Sequence, residues 1–225
     1  IVGTGIGGIT GVLEQHDVMR DRGARRVTPH FIPRIMPNAV SGQVAIRHGL
    51  MGTAFTTSSA CASAGHAIGM AWRSIQWDEC DLVVTGGAES AITPLSMAGF
   101  ASAKALSTRN DDPATASRPF DVGRDGFVMG EGAGVLLLKR LSDAINDGDE
   151  VHAVIRGIGG SSDGRGKGIT APSQRGQVQA IARAYNQAGY PASTVELVEA
   201  HGTSTKVGDA TELSTLSLLW DDLPQ

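Results

Sequence analysis

Two side chains stand where their surroundings could turn them into reagents: Cys61 in TTSSACASAGHAIG (residues 56–69) and His201 in VEAHGTSTKVGDATEL (residues 198–213). Cys61 follows a polar, β-branched run and precedes a helix-like run. A thiol at that joint meets unsatisfied N–H groups and the positive end of the helix dipole, which favour thiolate. A sharp strand-to-helix turn exposes such a side chain, as nucleophile elbows do for serine. Ala60, Ala62, Ser63, Ala64 and Gly65 leave space for an incoming substrate. The competing reading is an inert, buried cysteine, and the local sequence leaves both open. His201 follows an apolar run and precedes Gly202, Thr203, Ser204 and Thr205, which supply backbone and hydroxyl donors. Ligands gather at strand ends in α/β sheets; a plain structural histidine is the alternative.

Other candidates are weaker. His66 lies five residues after Cys61, about 140° around a helix, so it is assigned to packing or surface. Cys80, just before an apolar strand, reads as structural. Gly3, Gly5 and Gly8 satisfy G-x-G-x-x-G, the dinucleotide fingerprint. The strand before them is nearly missing, and Asp17 and Asp21 fall in or just after the next helix, so they read as tight-turn glycines.

Positioning these residues requires alternating elements. The pattern predicts helices over 9–22, 38–48, 62–76, 97–105, 141–147, 174–188 and 208–219. It predicts strands over 53–59, 81–86, 132–140, 151–160 and 195–200, after a strand tail in 1–8. Residues 25–37 read as loop because Pro29, Pro33 and Pro37 oppose regular helix, and 107–120 as polar loop. Strand–helix alternation implies a mainly parallel sheet covered on both faces, with 132–140 buried. A boundary is expected near Gly148, where a second βα series begins.

Composition sets limits. With 30 Gly against 4% aromatic residues, close helix–sheet packing is expected. A net charge of −4 removes a global nucleic-acid footprint. Two cysteines make a disulfide framework improbable and suggest a reducing, cytoplasmic setting. No apolar run of about 18 residues appears, so no membrane span is expected. The chain starts without Met and ends just after a helical run, which suggests a fragment.

Together, SSACASAGHAIG, GGAES, GFASAKALSTRNDDPATASRPFDVGRDGFVMGEGAGVLLLKRL and EAHGTSTKVGDATEL resemble the β-ketoacyl-acyl-carrier-protein synthases, the condensing enzymes of fatty-acid and polyketide synthesis. The resemblance runs through nearly the whole chain and is nearest to the long-chain elongating type. It implies an α/β, thiolase-like layered αβαβα fold, incomplete at both ends. Residues 1–148 would be the later part of the first half, and 149–225 the early part of the second. It also implies a chemistry. Cys61 takes an acyl group, malonyl-carrier protein loses carbon dioxide, and the enolate attacks the acyl-Cys carbonyl. His201 would donate a hydrogen bond to the thioester oxygen, and the Cys61 N–H would help hold the acyl oxyanion. Thr203 and Thr205 match positions that bind pantetheine, and Phe100 a residue beside the acyl cavity. Arg25, Arg26 and Lys104 match basic positions that dock acyl carrier protein. No metal or cofactor is implied, since the substrates ride on the carrier's phosphopantetheine. Homodimerisation through 53–59 is implied as well.

The family's second histidine, its lysine and its Gly-Phe loop are missing; the only Gly-His pair, Gly65-His66, lies in the nucleophile helix. The chain alone is therefore expected not to condense substrates. Alternatives are a non-catalytic chain-length partner, a thiolase-type acyltransferase, and, on the glycine motif alone, a dehydrogenase.

Overall fold

The structure is a computed structural model and describes residues 1–166 and 168–220. The chain divides into two compact units: residues 1–96 with 130–153, and residues 97–129 with those from 154 onward.

The first unit is built on a four-stranded sheet. Its strands are β1 (Val2–Gly3), β2 (Thr56–Thr57), β3 (Leu82–Glu89) and β4 (Gly132–Lys139), in the order β2-β1-β3-β4. The first three are parallel and β4 is antiparallel to β3, so the sheet is mixed. Helix α1 (Ile9–Arg22) follows β1, then α2 (Phe31–Ile35) and α3 (Ala39–His48). Helix α4 (Ser63–Gln76) crosses from β2 to β3 and packs on the sheet, where Ala71, Ile75 and Val83 form the core with Leu138 and Cys80 against it. Burying Ile75 and Val83 contributes roughly 1.5–3 kcal/mol each.

The close approach of α4 is a steric matter. A Cβ on Gly3 would overlap the backbone of Ser63, and one on Gly87 would sit 2.6 Å from Ala64 Cβ. Both strands therefore need glycine where the helix crosses them. Helix α5 (Pro94–Ser102) follows β3, and α6 (Leu141–Asp147) follows β4.

In the second unit, α7 (Gln174–Ala188) starts at Ser173, whose side chain accepts the Gly176 N–H. Helix α8 (Lys206–Trp220) packs against α7.

Several expectations are corrected. The segments 151–160 and 195–200 form no strands, because no described residue pairs with them. Gly157 and Gly159 press instead on the backbone of α7, where an added Cβ would overlap the Ala184 and Ala180 carbonyls. The 53–59 strand shrinks to two residues. β4 is a sheet edge, not a buried strand: Val135 and Leu137 are each 63% exposed. Residues 25–37 hold a 3-10 turn (Ala24–Arg26) and α2, with Pro33 inside the helix. Pro33 is tolerated there because first-turn N–H groups have no helical acceptor anyway. The tail 221–225, read as following the last helix, lies outside the described residues.

Candidate active site

Cys61 sits in the turn between β2 and α4, exposed and unoxidised. The turn is tight. Ala62 N–H donates to Ser59 O (3.1 Å) and Ser63 N–H to Ala60 O (3.1 Å). Ser63 Oγ accepts the Ser59 N–H (2.9 Å) and donates to Ala60 O (2.7 Å). Thr57 Oγ1 donates to Ser63 O at 2.8 Å. These bonds hold Ala60 at φ +51°, a left-handed backbone that costs a non-glycine residue on the order of 1 kcal/mol or more. Strain of this kind, one residue before the thiol, is what an elbow needs to push its side chain outward.

His66 is exposed, and its Nδ1 lies 2.5 Å from Ser59 Oγ. Cys80 is half-buried against the core. Gly5, Gly7 and Gly8 form the turn after β1, and the N–H groups of Gly5, Ile6 and Gly7 all donate to the Glu89 carboxylate. A groove of about 510 Å³ lies beside this turn, walled in part by Thr4, Gly8, Arg34, Glu89 and Glu131. Cys61 is not among its walls. Arg25 and Arg26 are exposed on the 3-10 turn after α1.

The second unit carries the histidine segment. His201 is exposed on a loop rather than on a strand tip. Its N–H and that of Gly202 donate to the two Glu212 oxygens, at 2.6 and 2.8 Å. The Thr203 and Thr205 hydroxyls lie 2.9 Å apart, and Thr205 Oγ1 accepts the Gly208 N–H at the start of α8. Beneath them Asp209 is fully buried. It accepts the N–H of Phe120 (2.7 Å) and of Ser204 (2.9 Å), and pairs with Arg124 Nε (3.2 Å). Phe120 and Ser204 have φ of +66° and +64°, so one carboxylate holds two strained residues. Gly126 N–H donates to Ser204 O, tying this loop to the segment that carries Phe127. Phe100 packs edge-on against Phe127, with ring centroids 5.3 Å apart. Lys104 is exposed just beyond α5, at φ +54°. Nearby, the Thr108 N–H and Ser107 hydroxyl, with the Arg118 charge, hold the Asp125 carboxyl below the usual carboxylate range.

Within this unit the structure gathers His201, Thr203 and Thr205 on one loop, and joins Phe100 to it through the Phe127 segment. Cys61, Arg25 and Arg26 belong to the first unit. Sequence reasoning passed over Glu89, Arg124, Asp209 and Glu212. The available signal was a carboxylate set among glycine, serine and threonine, where backbone donors lack regular partners.

Residues 1–144 match the family model described as β-ketoacyl synthase, N-terminal domain, and residues 152–224 match its C-terminal domain. The chain belongs to the β-ketoacyl synthase family. It is 44% identical over 225 residues to 3-oxoacyl-[acyl-carrier-protein] synthase 2 of Rhizobium meliloti (strain 1021), covering 99% of this chain and 53% of that protein. To the mitochondrial 3-oxoacyl-[acyl-carrier-protein] synthase of Arabidopsis thaliana it is 41% identical, covering 98% and 48%. Among solved structures, a β-ketoacyl synthase from Burkholderia phymatum STM815 superposes with a TM-score of 0.89 at 35% identity, covering 97% of this chain and 53% of that one. A type II polyketide ketosynthase, solved with its acyl-carrier protein and a hexaketide, gives 0.89 at 25% identity, covering 98% and 56%. The chain thus has the thiolase-like fold and spans about half the length of the curated relatives it matches.

Proposed function

We propose that residues 1–148 and 149–225 are the nucleophile and first-histidine parts of a 3-oxoacyl-acyl-carrier-protein synthase that catalyses decarboxylative condensation in fatty-acid or polyketide elongation. The single observation that carries the reading is the exposed Cys61 thiol on a strained turn at the start of α4. Its thiolate attacks an acyl thioester carbonyl, forms the S–C bond and expels the carrier thiol. Malonyl-carrier protein then loses carbon dioxide. The enolate carbon attacks the acyl-Cys61 carbonyl, and Cys61 leaves as thiolate with the 3-oxoacyl thioester released. His201 donates a hydrogen bond where charge develops on the thioester oxygen, a contribution of about 3 kcal/mol. The Thr203 and Thr205 hydroxyls, held as a pair, suit the amides of a pantetheine arm, and Phe100 suits an acyl chain.

The decisive experiment is Cys61→Ala in the full-length protein. Acyl-enzyme and ketoacyl product should both disappear; product formation at an undiminished rate would overturn the reading, and absence of any acyl-Cys61 in the unmutated protein would favour a chain-length partner instead.

Partners follow from the same reading. Acidic acyl carrier protein suits exposed Arg25, Arg26 and Lys104, and the polyketide relative was solved with its own carrier. Arg25→Glu with Arg26→Glu should raise KM for carrier-bound substrate and spare small thioesters. The edge position of β2 supports a homodimer, since an edge strand offers unpaired backbone groups to a second copy; light scattering tests this. Two free cysteines suit the cytoplasm, and no helix among the described residues is long and apolar enough to cross a membrane.

A further inference from the structure

Glu89 is more heavily engaged than a surface carboxylate needs to be. Its Oε2 accepts the Gly5 N–H (2.7 Å) and the Ile6 N–H (3.0 Å). Its Oε1 accepts the Thr4 hydroxyl (3.1 Å) and the Gly7 N–H (3.3 Å). Successive backbone N–H groups of this kind form an anion-binding concavity, and here the anion is the chain's own carboxylate from the end of β3. The turn so gripped lies against the elbow. A Cβ built on Gly5 would lie 3.0 Å from Glu89 Oε2 on one side. On the other it would lie 3.4 Å from the Ala60 carbonyl oxygen and 3.5 Å from Ala60 Cα. Gly5 is thus a spacer between the carboxylate and the strained residue. Ser58 Oγ adds a second tether, donating to Gly5 O at 3.4 Å.

The Ala60 carbonyl and the Cys61 N–H belong to one planar peptide. Fixing the oxygen fixes the direction of the N–H. Ala60 O is held by the Ser63 N–H and hydroxyl, and it lies beside Gly5, where an added Cβ would touch it. We propose that Glu89 is a positioning residue for acyl transfer: through the Thr4–Gly7 turn it sets the Ala60–Cys61 peptide, and so aims the Cys61 N–H at the acyl oxyanion. The proposal rests on Cys61 being the nucleophile.

The test separates oxyanion stabilisation from thiol reactivity. In the full-length protein, Glu89→Ala and Glu89→Gln are compared by two rates at Cys61. One is acyl-enzyme formation from acyl-carrier protein, followed by mass spectrometry. The other is alkylation by iodoacetamide, in which the thiolate displaces iodide and no oxyanion forms. Glu89→Ala should slow acylation at least about tenfold, with alkylation and KM changed by less than about twofold. Glu89→Gln, which keeps one acceptor oxygen, should show the same pattern more weakly. A folded variant in which the two rates fall together, or in which acylation is unchanged, overturns the proposal. So does loss of folding in both variants, which would make Glu89 purely structural. Cys61→Ala, run in parallel, should give no acyl-enzyme; if it still does, the nucleophile assignment fails whatever Glu89 shows.

Discussion

The Cys61 turn and the His201 loop are held by opposite means. Around Cys61 the determinant of how α4 seats is exclusion: Gly3 and Gly87 let α4 rest on the strands with no room for a methyl group, and backbone bonds together with the Ser63 and Thr57 hydroxyls close the turn. Around His201 it is attraction: the buried Asp209 carboxylate gathers two strained backbones and an arginine. A packed joint fails when volume is added, and a polar centre fails when one charge is removed. The contrast fits what each must present. A thiol needs a rigid, open tip, whereas a loop of hydroxyls and an imidazole needs its backbone N–H groups satisfied so that the loop holds one shape.

Four measurements in the full-length protein would sharpen or break this contrast. The largest effect should come from Asp209→Ala, which takes the buried carboxylate away from Arg124 and the acceptor away from the Phe120 and Ser204 N–H groups; a loss of about 3–5 kcal/mol in chemical unfolding is expected. Gly3→Ala should cost about 1–3 kcal/mol by forcing α4 off the sheet, and should slow Cys61 alkylation. If Gly3→Ala proved neutral, exclusion would not be the device at the elbow. A smaller effect concerns acid. Asp125 has a lowered folded pKa, so its stabilisation is present above the unfolded carboxylate value and is lost as pH falls below about 4. Thr108 amide exchange should accelerate there, and Asp125→Asn should remove most of that pH dependence. Smallest of all, Thr85 Oγ1 is buried with no hydrogen-bond partner among the described residues, so Thr85→Val should be neutral or stabilise by about 1 kcal/mol, read as Tm.

Helices were legible where an apolar period met a stop signal: α1, α3 and α7 begin or end within a residue or two of the expected positions. Strands were less so. A helix closes its own hydrogen bonds, whereas a strand exists only against a neighbour. The apolar runs at 151–160 and 195–200 had the composition of strands and found no partner among the described residues. GAGVLLLKR became an exposed edge for a related reason, since hydrophobicity reports a preference for burial and not whether a neighbour arrives.

The sequence by itself determined the family, the placement of Cys61 at a strand-to-helix joint, and the small-residue setting of that thiol, because these depend on residue type and local spacing. Tertiary structure alone decided which carboxylates hold the two segments. Glu89 reaches back 84 residues to Gly5, and Asp209 reaches 89 residues to Phe120. Local pattern carries no information about which distant N–H groups will converge on one oxygen, because that convergence is set by how the elements pack.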